Sequence, residues 1–136
     1  MNPILENTML PPSPFFASDG GINVKDLAEI IKLDQKTVVS ASGVSRQVAS
    51  QQFNTKKKFI KIRSKKANEF WVKLNQIYSL LMALIDDENP STKIREWFNS
   101  PNIALSMERP IDLVRKGDLD TIIKKLMDIF TSAHGG

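Results

Sequence analysis

Residues able to carry covalent or metal chemistry are scarce in this chain of 136 residues. Cysteine is absent, and the single histidine, His134, lies among the last three positions. That composition leaves no thiol nucleophile, no disulfide framework, no thiolate metal site and no histidine cluster. Asp86, Asp87 and Glu88 adjoin one another. They lack the alternating ligand spacing and inner glycine of a calcium loop and read as a solvated helix end. Asp19-Gly20-Gly21 is a turn signal without the strand–loop–helix context of a phosphate loop. The expectation is a protein with no enzymatic activity, no metal and no cofactor.

Cations are the abundant chemical resource. The formal net charge is +4, and it is unevenly placed. Residues 23–75 carry 12 Lys/Arg against 4 Asp/Glu, whereas residues 76–136 carry 7 against 9. A basic front half suits a polyanion such as DNA, and the mildly acidic back half does not. Lys56, Lys57, Lys58, Lys61, Arg63, Lys65 and Lys66 fall within eleven residues, a density suited to phosphate contacts.

Just upstream, residues 24–43 carry the spacing of a helix-turn-helix. Ala28 is the small residue at a helix crossing, Leu33 falls in the turn, and Val38 anchors a second helix. Lys32 occupies the turn position where glycine is common. The second helix should expose Gln35, Lys36, Thr37 and Ser40 to base edges and phosphates, with Arg46 at the start of the next helix. The same pattern also arises in helical hairpins that never meet DNA.

The elements that must position these residues are all helical. Residues 1–22 hold four of the seven prolines, lack helical periodicity and read as a flexible tail. They show no basic region ahead of a long apolar core, so no signal peptide is expected. Asn23 caps a helix with Val24, Leu27, Ala28 and Ile31 on one face. Asp34 caps residues 35–42, which Gly43 closes, and Ser45 caps a helix over about 46–52. The stretch 53–62 fits a short strand, a basic linker or a helix start.

A long helix over about 65–86 presents Ala67, Phe70, Leu74, Ile77, Leu81 and Leu84. This stripe serves either a core or a helix-to-helix dimer seam. No stretch is apolar enough to span a membrane, and a cytoplasmic location is expected. Ser91 caps a helix over 92–99, with Ile94, Trp97 and Phe98 inward. Ser100-Pro101-Asn102 is a turn. Pro110 opens a helix that stops at Gly117, and Asp118 caps a last helix over about 119–131 carrying Ile122, Ile123, Leu126, Ile129 and Phe130. The expected organisation is a tail (1–22), a DNA-binding region (23–63) and a helical dimerisation and partner-binding region (64–136).

Within the last region, Trp97-Phe98, Pro101-Asn102, Leu105, Pro110-Ile111-Asp112-Leu113-Val114, Gly117 and the apolar run Ile122–Ile129 resemble the toxin-binding domain of Xre/MbcA/ParS antitoxins. Ser106-Met107-Glu108 stands where a glycine often precedes the proline in that family. The resemblance implies a partner, a RES-domain toxin that degrades NAD, whose active site the antitoxin occludes. It also implies repression of the protein's own operon. Carried over by position, Asn99, Asn102, Arg109, Lys116, Phe130 and His134 would face the toxin. A homodimer on a near-palindromic operator is the expected DNA-bound form. The rival reading is a stand-alone helix-turn-helix regulator with no toxin.

Overall fold

Side-chain caps set most of the helix starts. In the computed structural model, which describes residues 13–133, the Asn23 side chain accepts the Asp26 N–H at 3.1 Å and starts α1, Val24–Ile31. Asp34 accepts the Thr37 N–H at 2.8 Å and starts α2, Gln35–Ser42. Ser45 does the same for α3, Arg46–Asn54, and Ser64 for α4, Lys65–Leu84. Each cap satisfies one of the backbone N–H groups a helix start leaves open. α5 (Pro90–Asn99) and α6 (Pro110–Arg115) begin instead on proline, whose missing N–H costs nothing there. Ser91 therefore lies inside α5 rather than capping it. A 3₁₀ turn, Ile103–Leu105, precedes α6, and α7 spans Leu119–Ala133.

The fold is all-α, with isolated bridges rather than strands among the described residues. α4 is the axis. Trp71, Leu74, Ile77 and Leu80 are completely buried on it, because α2, α5 and α7 pack around it. α1 packs on α3 and α5, and α2 rests on α3 and α6. One hydrophobic cluster runs from Phe15 to Phe130. The expected boundary at residue 64 therefore does not divide two cores.

Most of the seam expected to pair two copies is taken up inside one chain: Ala67, Phe70, Leu74, Ile77 and Leu81 are at most 4% exposed, and Leu84 is half-buried. Such side chains cannot also form a dimer interface without unpacking the core. No described helix is long and apolar enough to cross a membrane.

Residues 13–22 depart from the expected tail. Phe15 is buried and meets Tyr78 edge to face at 4.9 Å, and Ile22 is fully buried. The Ser13 hydroxyl donates to the Asn75 side chain. Ile22 exchanges both backbone hydrogen bonds with Ile60, at 2.7 and 3.0 Å. Of the ambiguous stretch 53–62, Phe53 and Asn54 end α3, and the bridge fixes the rest as part of an extended strap over residues 55–63, ahead of α4. Proline content masks two aromatic anchors, Phe15 and the half-buried Phe16, which bury enough apolar surface to order the segment. Residues 1–12 lie outside the described residues.

Candidate nucleic-acid and partner interfaces

In the α1–α2 pair, Ala28, Leu33 and Val38 are buried. The turn between the helices is made by Lys32 at φ 64°, in the left-handed region, with its N–H bonded to the Glu29 carbonyl. A lysine carries a steric cost there that a glycine would avoid.

On α2, Lys36 and Ser40 are exposed and Gln35 is half-buried. Thr37 is not available: it is 8% exposed and its N–H is committed to Asp34. Position 37 joins Val38 and Ser42 on the face that packs inward. The outward ridge is thus Lys36 and Ser40, ending at Gly43, whose φ of 78° stops the helix. Arg46, Lys56, Lys57, Lys58 and Lys61 are all exposed.

From Gln35 to Asn68 the chain carries nine cations and no acidic residue. Among the described residues none of these nine forms an ion pair, whereas Lys73, Lys93, Arg95, Arg109, Arg115 and Lys116 all do. Uncompensated charges sum to a positive field over this surface, while paired ones largely cancel at a distance. Asp34 immediately precedes this stretch. Hydrogen bonding from the Thr37 side chain, then from its backbone N–H, holds the Asp34 carboxyl below the usual carboxylate range, with help from Arg115 and Lys36.

Below this surface lies an open groove of about 960 Å³ between α3, the Gly43–Val44 corner and the strap. Gln52 lines it and is 6% exposed, yet its side-chain oxygen is buried with no hydrogen-bond partner. An amide oxygen left so costs about 1–3 kcal/mol. Lys58 places its ammonium 5.7 Å from the Phe59 ring centre, a cation–π approach that stiffens the strap.

A second surface surrounds the 3₁₀ turn. Asn102 accepts the Ala104 N–H through its side chain at 2.9 Å and the Met107 N–H through its carbonyl at 2.8 Å. It thereby closes a tight loop in which Ser106 and Met107 both lie in the left-handed region, at φ 56° and 67°. Two consecutive non-glycine residues there cost about 1–2 kcal/mol each. Leu105 is buried beneath the loop, while Ile103 and Met107 stand 86% and 61% exposed above it. The missing glycine before Pro110 is the sequence signal for this strain, but nothing in the spacing marks Ile103 as exposed.

The residues expected to face a toxin divide into two groups. Asn99 is exposed, although its side chain donates to the Arg95 carbonyl. Arg109 forms a two-bond fork with Asp112, both bonds 3.0 Å, which raises the Arg109 pKa and lowers that of Asp112. Lys116 is exposed and reaches Glu108 at 2.6 Å. Phe130 is a correction: it is 7% exposed and belongs to the core, because Leu119, Ile122, Leu126 and Phe130 form the buried stripe of α7. Its neighbour Ile129 is the exposed apolar side chain there. His134 lies outside the described residues. Asn102, Met107, Glu108, Arg109 and Lys116 thus cluster at one loop, joined by the bonds just given and by the Asn102 N–H to Glu108 carbonyl bond of 3.1 Å.

No protein-family model, no curated protein and no solved structure matches this chain.

Proposed function

We propose that this protein is a DNA-binding antitoxin without catalytic activity, holding duplex DNA on its cationic face and a toxin on the loop around Ile103 and Met107. The single observation that carries the nucleic-acid half is the stretch from Gln35 to Asn68, with nine cations and no acid, and with no ion pair among the described residues. Such a surface gains affinity by releasing counterions from the phosphate backbone. Lys36 and Ser40, exposed on α2, would read base edges in the manner of a helix-turn-helix.

The toxin half is supported by the resemblance of residues 93–136 to Xre/MbcA/ParS antitoxins and by the exposed pair Ile103 and Met107 on a strained loop. A RES-domain, NAD-degrading toxin is the partner that resemblance implies, with occlusion of its active site as the mechanism. Exposed apolar side chains held on a strained, well-bonded loop suit docking better than they suit a stand-alone regulator. A dimer on DNA would need a surface other than the α4 stripe.

The test is co-expression of the full chain with the product of the adjacent gene, since one shared core leaves no separable toxin-binding fragment. Rescue of growth by the native chain, abolished by Ile103→Asp with Met107→Asp, is expected. Unimpaired rescue by that double variant would overturn the toxin-binding surface.

A further inference from the structure

We propose that the groove between α3 and the strap binds one nucleoside phosphate, with the base inside and the phosphate on the rim. The inference rests on the nucleic-acid reading only in sharing Lys57 and Lys61. Three properties of the groove define the ligand.

Its rim carries Lys57, Lys61 and Arg63, none of them ion-paired among the described residues. The acid on the lining, Asp19, has its carboxylate engaged by the Gly21 N–H at 2.9 Å. Charge complementarity therefore selects an anion. The walls include Val48 and Phe59, which suit a flat aromatic group rather than a bare inorganic ion.

Gln52 completes the description. Its side-chain oxygen is buried and meets no donor among the described residues, so an occupant that brings an N–H satisfies it once the Gln52 side chain turns toward the groove it lines. A nucleotide whose base carries an exocyclic amino group has all three features: a flat face, an N–H donor and an attached phosphate. The groove is large enough for one such unit, at about 960 Å³. A free nucleotide and one unpaired residue of a strand share this chemistry.

The experiment is calorimetric titration of the full chain with AMP, with purine riboside 5′-monophosphate, with inorganic phosphate and with a short single-stranded oligodeoxyadenylate, beside a duplex titration. AMP is expected to bind with Kd below about 1 mM. Purine riboside 5′-monophosphate, which carries hydrogen in place of the amino group and no N–H on that edge, is expected about tenfold weaker. Stronger binding of the oligonucleotide than of AMP assigns the groove to a strand, and the reverse assigns it to a free nucleotide.

Gln52→Leu removes the orphaned oxygen in a similar volume. It is expected to melt no lower than the native chain while binding AMP about tenfold more weakly. Arg63→Ala should weaken AMP and phosphate alike. Duplex binding without any AMP or oligonucleotide binding overturns the groove proposal and leaves the DNA-binding reading intact. So does AMP binding that Gln52→Leu leaves unchanged. Nucleotide binding without duplex binding supports the groove and overturns the other reading.

Discussion

The carboxylate of Asp34 accepts the Thr37 backbone N–H at 2.8 Å, and that bond commits both residues to starting α2. It also places one negative charge just ahead of the stretch from Gln35 to Asn68, which carries no acid. Asn caps a helix as well as Asp does, so Asp34→Asn should leave the fold close to native stability at neutral pH. It should also tighten duplex binding. Asp34→Ala, which removes the cap, should cost about 1 kcal/mol in chemical denaturation.

The pH dependence of that cap has a defined sign. The folded Asp34 carboxyl titrates below the ordinary aspartate value, so its charged form contributes stability above the unfolded pKa of about 3.9. That contribution fades as pH falls through the lower folded value. The difference in melting temperature between the native chain and Asp34→Asn should be constant above about pH 5 and change below about pH 4, where the native chain weakens relative to the variant.

Met107 tests whether strain is tied to docking. Met107→Gly relieves a left-handed residue, offset in part by the freer unfolded chain, and should raise stability by about 0.5 kcal/mol. Toxin capture should fall at the same time. Ile103→Asp, at a position 86% exposed, should alter stability by less than about 0.5 kcal/mol while weakening capture in a pull-down.

Two adjacent residues of α7 should behave oppositely. Phe130→Ala removes a buried ring and should cost about 3 kcal/mol. Ile129→Ser, on the exposed side, should cost less than about 0.5 kcal/mol. Equal effects in denaturant unfolding would contradict this assignment of the two faces.

Arg95 joins the front and back of the chain. From α5 its guanidinium donates to the Ile30 carbonyl at 3.1 Å and the Glu29 carbonyl at 3.3 Å, at the end of α1. It satisfies carbonyls that a helix terminus leaves open. Arg95→Met should therefore cost about 1–2 kcal/mol, measured by denaturant unfolding.

Local chemistry makes most of the fold legible in the sequence. Asn23, Asp34 and Ser45 cap helices because capping depends on a side chain and an N–H two or three residues on. Gly43 and Gly117, at φ 78° and 77°, end helices for an equally local reason. What stays hidden depends on distant partners. The strap is ambiguous in sequence because it bridges to Ile22, in a segment whose prolines suggest a tail. Thr37 and Phe130 look polar-outward or terminal by position, and only the packing of α2 and α7 shows that they face inward. The α4 stripe fits a dimer seam and a core equally, and three surrounding helices decide for the core. The cationic surface is legible as charge, but its freedom from ion pairs among the described residues is not.

The most direct measurement is fluorescence anisotropy of a labelled duplex from upstream of the gene, titrated with the full chain from about 50 to about 200 mM salt. The expected result is a linear fall of log affinity with log salt. Its slope should become shallower by about 0.9 for each phosphate that Lys57→Gln or Lys61→Gln leaves unneutralised. No binding at low salt, or a slope that these substitutions do not alter, would contradict the account.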